Sequence, residues 1–309
     1  MLEILKDKKT AIIFTLFAML LWGSAVPTIK TTYAEMNVTS VDTGAQILLA
    51  GIRFFLAGVL AFVYYLTFNK NRVNKKSIDW KYIIVLSLIQ TMVQYLIYYI
   101  GMINTSGIKA SIIQAMNSFI VVILSAIMLP KEKINKATIF AIIIGTFGIV
   151  IANGGFGNVG TGFTLLGEGF ILLATTFNAL SAVYVRKYGA NQNEFFVTAA
   201  QFVIGSIPLI IIGLIMNKTK LTFSPLAIVL LIYGAFISAT AYITWNTVLK
   251  YHAAGEMGMY KLFIPIFGSM LSVLILKENF TINLLIGLIL VIFGSIILNL
   301  NKRYVRRKI

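Results

Sequence analysis

Three ionisable side chains stand inside stretches otherwise built from hydrocarbon: Arg53, Glu168 and Lys261. An uncompensated charge there costs roughly 2.5–3.5 kcal/mol on insertion scales, so each asks for a physical reason. Arg53 falls about midway along its apolar run, with Gln46 two helical turns earlier on the same side. The guanidinium of Arg53 or the ammonium of Lys261 would attract a carboxylate or phosphate. Glu168 would suit a coupling proton or cation. A plainer alternative makes Glu168 interfacial and lets the Lys261 stem snorkel to lipid headgroups.

Uncharged polar groups recur at helical spacing. Gln90, Gln94 and Tyr98 share one face; Gln114 and Asn117 follow on the next run; Ser238, Tyr242, Trp245 and Asn246 mark a later one. In lipid such groups must pair across helices or line a wet cavity. With Trp22 and Tyr260 they would stack a flat organic ligand while amides fix its polar edge. The substrate-binding candidates are therefore Trp22, Gln94, Tyr98, Gln114, Asn117, Asn178, Tyr242, Trp245, Tyr260 and Lys261, with Arg53 and Glu168 as the coupling or charge pair.

The elements that must position these residues are membrane spans. The 309 residues are 59% hydrophobic and 12% charged, with a mean hydropathy of +0.89, and the apolar residues come in runs of about twenty, enough to cross a hydrocarbon layer about 30 Å thick. The runs predict an all-α integral membrane protein of about ten transmembrane helices, at 10–29, 44–66, 81–101, 108–129, 136–153, 163–185, 195–216, 225–249, 256–276 and 281–300. The basic start followed by an apolar stretch has the outline of a signal peptide, but Trp22, Gly23 and Pro27 interrupt it and no A-x-A site follows, so a retained first helix is expected.

A net charge of +16 would suit nucleic-acid binding, yet most Lys and Arg gather in loops at alternate ends of the runs. That pattern follows the positive-inside rule, argues for a lipid bilayer rather than nucleic acid as partner, and puts both termini inside a bacterial-type cell membrane. No cysteine is present and His252 is the single histidine, so thiol chemistry is excluded and neither a metal site nor a cofactor is expected. Gly155 to Gly160 fits G-x-G-x-x-G but joins two apolar runs, where a dinucleotide fold has no room. The sequons at Asn37 and Asn104 decide nothing. No G-x-S-x-G or H-E-x-x-H motif supports an intramembrane enzyme.

Shifting the chain by 146 residues superimposes Lys131-Glu132 on Lys277-Glu278, Gly148 on Gly294 and Asn153 on Asn299. Five spans per unit is an odd number, so the second unit enters the membrane the other way up. The expected organisation is two inverted five-helix repeats, 10–153 and 163–300, a Gly-rich linker at 154–162 and a basic tail at 301–309, with a midplane site opening alternately to each side.

Trp22-Gly23-Ser24 leading to Lys30, Leu49 to Phe54, the paired Glu132 and Glu278, Tyr95, Ala241-Tyr242 and Pro265 together resemble the EamA family of the drug/metabolite transporter superfamily, over nearly the whole chain. The resemblance implies ten helices in two inverted units around a central cavity, without ATP hydrolysis. It implies a secondary transporter for a small-molecule substrate; the family includes amino-acid exporters, riboflavin importers and more distant sugar-nucleotide carriers. The aromatic content favours a vitamin-like aromatic or heterocyclic substrate such as riboflavin, with an amino-acid or drug exporter as the alternative. A non-transporting membrane subunit and a homodimer stay open at this point. Asn117-Ser118 stands where the second repeat has Phe263-Ile264, so the halves contribute unlike groups.

Overall fold

The computed structural model describes residues 4–68, 78–129, 134–152, 163–189, 192–252, 257, 260–261 and 263–307. Ten helical segments organise them: α1 Lys8–Glu35, α2 Thr43–Phe68, α3 Trp80–Ile103, α4 Gly107–Met128, α5 Lys136–Ala152, α6 Leu165–Tyr188, α7 Glu194–Met216, α8 Pro225–Tyr251, α9 Phe263–Leu276 and α10 Ile282–Arg307. No strand occurs among the described residues. Seven segments are long and apolar enough to cross a membrane; α5, α9 and the apolar part of α10 are shorter. The proposed Gly-rich linker, Glu132 and part of the basic tail lie outside the described residues.

Helices are the form this composition demands, because hydrocarbon offers no partner for backbone groups. Side chains satisfy the first free N–H groups of several helices. Asp7 accepts from Thr10, Asp79 from Tyr82, Ser106 from Lys109, Thr164 from Gly167 and Asn193 from Phe196. Ser224 accepts from Ala227, and Pro225 follows at the first helical position, where its missing N–H costs nothing.

Large apolar residues such as Phe55, Val59, Phe62 and Leu66 on α2 or Ile139, Phe140, Ile143 and Phe147 on α5 point outward. The packed faces carry small residues, which let helix axes approach without help from water exclusion. On α5 and α10, a Cβ on Gly148 would lie 2.7 Å from the carbonyl oxygen of Gly287, and one on Gly294 2.7 Å from that of Ala141. These contacts are copies of each other under the 146-residue shift, which carries Ala141 onto Gly287 and Gly148 onto Gly294.

The rest of the packing repeats in the same way. α2 lies on its counterpart α7 and α5 on α10; α1 against α8 is matched by α6 against α3, and α1 against α9 by α6 against α4. The two halves are thus an inverted pair about a pseudo-two-fold axis in the membrane plane. One end of the bundle holds the termini and the α6–α7 connection, and His252 there bonds the Leu5 carbonyl at 2.7 Å. The opposite end holds the α1–α2, α3–α4, α7–α8 and α9–α10 connections.

Among the described residues the regular α-helix gives way at three places. α3 widens into a π-helical stretch at Ser87–Val93, α6 opens with another at Leu165–Gly169, and α4 is interrupted between Gln114 and Asn117. Such irregular backbone persists in membranes where it is buried in protein or lines a cavity.

Candidate functional site

A cavity of about 600 Å³ runs into the bundle between α1, α2, α3, α4, α6, α7, α8 and α9. It opens at the terminal end, where Tyr82, Arg186, Gly189, Gln192 and Glu194 rim its mouth, and its wall stops at Ile29, Tyr98, Gln114 and Ala174. The first half of α4, Gly107–Gln114, fills the space beyond, with Ala110, Ile112 and Ile113 fully buried.

At the blind end the amides form a continuous chain across the halves. Asn117 donates to the Asn178 carbonyl oxygen at 2.9 Å; Asn178 donates to Gln94 at 3.2 Å and to the Tyr242 hydroxyl at 3.4 Å. The hydroxyls of Tyr242 and Tyr95 lie 3.4 Å apart. Nearer the mouth, Gln90 donates to Ser181 at 2.9 Å. The breaks in α3 and α4 border this chain, which is how residues of separate helices come to face one point.

The aromatic wall is built from α1 and α8. Trp22 meets Tyr242 edge-on at 5.4 Å and Trp245 at 6.2 Å. The Lys261 ammonium stands 4.7 Å from the Trp245 ring centroid and 5.8 Å from that of Trp22, within cation–π range of both. It faces the cavity rather than the headgroups.

Arg53 lies in the wall, 5% exposed, and its guanidinium is spread over three neutral acceptors: the Gly234 carbonyl at 2.9 Å, the Tyr99 hydroxyl at 3.0 Å and the Ser238 hydroxyl at 3.2 Å. The planar fork thereby ties α2 to α3 and α8. Gln46, expected on the same side, instead donates to the Thr39 carbonyl in the α1–α2 connection.

Ten of the twelve candidates therefore line one cavity: Trp22, Arg53, Gln94, Tyr98, Gln114, Asn117, Asn178, Tyr242, Trp245 and Lys261. Tyr260 packs instead against the apolar cluster around Met19, Leu21 and Trp245. Glu168 lies at the closed end of the bundle, buried, accepting from the Thr105 hydroxyl at 2.6 Å and from Thr164 N at 2.7 Å, with Lys109 at 3.6 Å. The sequence places it one turn into its span, and the α3–α4 connection folds over that turn.

Thr198 and Gln201 are cavity residues that the sequence reading passed over. Both are nearly inaccessible, and Thr198 Oγ1 and Gln201 Oε1 have no hydrogen-bond partner among the described residues. With Glu194 they form an i, i+4, i+7 stripe on α7, a pattern visible in the sequence as a polar face on an apolar helix. Among the described residues, no three His, Cys, Asp or Glu side chains are grouped to hold a metal ion.

A model of the EamA-like transporter family matches residues 9–154 and 165–300, one copy on each half of the bundle. The uncharacterized transporter YvbV of Bacillus subtilis strain 168 is 28% identical over 123 residues, a stretch that is 39% of this chain and 40% of that relative. A solved crystal structure superposes with a TM-score of 0.70 over 97% of this chain and 99% of its own, at 17% identity, a likeness of fold alone.

Proposed function

We propose, from a chain that belongs to the EamA-like transporter family and is a multi-pass membrane protein, that it moves a small organic metabolite through the central cavity by alternating access. The cavity itself carries this reading: a mouth at the terminal end, an inner end at mid-bundle against α4 and a wall of rings and amides. Its volume of about 600 Å³ falls in the range of about 300–1,000 Å³ usual for sites that enclose a small organic molecule.

The wall favours a substrate with a flat aromatic or heterocyclic part. Trp22, Tyr242 and Trp245 offer ring faces and edges, while Gln94, Asn117 and Asn178 offer donors and acceptors at one border. Riboflavin is one compound of this kind. The Lys and Arg bias of the loops supports a cytoplasmic terminal end, so the mouth faces the cytoplasm of a bacterial-type cell.

The test is a thermal-shift screen of detergent-purified protein against vitamins, nucleosides and amino acids, followed by flux into proteoliposomes. A ligand that binds only the folded state raises apparent stability. Stabilisation by a flavin or another aromatic metabolite, with uptake of the same compound, supports the reading. Flux confined to amino acids would replace the aromatic substrate, and no flux of any compound would end the transport proposal.

A further inference from the structure

The first half of α4 closes the cavity, and its far end is held by side chains from both repeats. The Glu278 carboxylate accepts from the backbone N–H of Gly107 at 2.7 Å and of Ile108 at 2.9 Å, the first free donors of the helix. Lys277, immediately before it, adopts a left-handed backbone with φ of 55°, a turn unusual for a residue with a Cβ. That turn ends α9 and aims the following carboxylate at α4. Thr105 is held twice more, its carbonyl accepting from Lys30 Nζ at 2.5 Å and its hydroxyl donating to Glu168 at 2.6 Å. The α3–α4 connection is thus gripped by α1, α6 and the α9–α10 turn.

The other end of this half-helix is irregular. Between Gln114 and Asn117 the chain makes tighter turns, Ala115 N–H bonding Ile112 and Met116 N–H bonding Ile113, before α4 resumes. Its contact with α9 is made of small residues: a Cβ on Gly107 would lie 2.6 Å from Ser272 Oγ, and one on Gly268 would overlap Ser111. The Ser269 and Ser272 hydroxyls have no hydrogen-bond partner among the described residues. Shallow side chains without directional bonds let one helix slide on another, so the far-end carboxylates supply the directional hold.

We propose that Gly107–Gln114 is the gate of the closed end, hinged at Ala115–Met116, and that Glu278 and Glu168 are the two halves of its latch. The inference rests on the alternating-access reading. In the opposite state the two carboxylates release the Thr105–Lys109 segment, the half-helix swings off the cavity, and the mouth at Tyr82, Gly189 and Glu194 shuts. Glu168 is a positioning residue in this account and touches no substrate.

The absence of cysteine makes the proposal directly readable. Ala110→Cys puts a thiol on the buried face of the gate, and Ala182→Cys puts one on the cavity wall toward the mouth. A membrane-impermeant maleimide applied to each side in turn reports which route is open. We expect Ala182→Cys to react from the mouth side and Ala110→Cys to be protected. Adding E278Q or E168Q should raise Ala110→Cys labelling from the closed side at least tenfold while lowering Ala182→Cys labelling. General loosening would raise both, so the reciprocal change separates a latch from a merely structural contact. Should the Gln variants fail to fold, Thr105→Val removes only the hydroxyl that Glu168 accepts from and predicts the same direction. Unchanged labelling in folded variants, beside robust flux by the parent, overturns the latch and leaves transport standing. Absence of flux by the parent overturns the alternating-access reading itself.

Discussion

Asn178 is the residue on which the site's polar order turns, because one amide joins α4, α3 and α8. Asn178→Ala should cost about 1 kcal/mol of stability for its hydrogen bonds. Calorimetric titration with the transported compound should show affinity reduced about tenfold. Arg53 has a different task. Its three donors reach three acceptors in a plane, and the compact ammonium of lysine cannot cover them all. Arg53→Lys should therefore lower stability by about 2 kcal/mol through lost charge-assisted bonds, visible as a fall in the thermal midpoint in detergent.

At the closed end, Asp42 accepts from the Thr219 hydroxyl at 2.6 Å and from the Thr39 N–H and hydroxyl at 2.8 Å, tying the α1–α2 connection to α7–α8. These donors favour the ionised form and hold its pKa below the ordinary 3.8. A depressed carboxylate stabilises the fold fully above its unfolded-state value and loses that effect as pH falls through the folded value. Unfolding midpoints of the parent and Asp42→Asn should accordingly differ near neutrality and converge below pH 3.8.

At the scale of elements, glycines set how near α2 and α7 come. A Cβ on Gly58 would lie 2.9 Å from Val203 N, and one on Gly213 would press on the Leu48 backbone at 2.5 Å. Gly213→Leu should force the pair apart and cost about 1–3 kcal/mol, measured as a lower unfolding midpoint. The spans were legible in the sequence because hydrocarbon thickness dictates their length. Their irregularities were not. Nothing in Gln114-Ala115-Met116-Asn117 announces a break, since no Pro or Gly stands there, and the interruption follows from packing that only the assembled bundle contains. Ten candidate residues proved to share one cavity because polar residues in lipid must face inward. Glu168 diverged because a buried acid looks the same in a sequence whether it faces a substrate or a backbone loop. Thr198 and Gln201 escaped notice because Thr and Gln on an apolar helix are most simply read as interhelical bonding.

For the molecule as a whole, the inverted repeat puts both ends on one side, and the Lys and Arg bias of the loops predicts that this side is the cytoplasm. Reporter domains that act only in the cytoplasm should be active at either terminus, and an export-dependent reporter silent at both. The opposite result would turn the cavity mouth to the outside and reverse the sense of the gate. Legibility was greatest at this scale: the 146-residue register appears again as the paired contacts Gly148–Gly287 and Gly294–Ala141.

The depth of the cavity also has an electrical consequence. A vestibule open to solvent carries the potential of one compartment inward as far as Gln114. The membrane voltage then drops mainly across the half-helix Gly107–Gln114, about 12 Å at 1.5 Å per residue, instead of across the full hydrocarbon thickness of about 30 Å. Each elementary charge carried through that layer exchanges about 2.3 kcal/mol per 100 mV with the field. Lys30, Lys109, Glu168 and Glu278 cluster at its edge, so the steepest gradient falls beside four charged side chains.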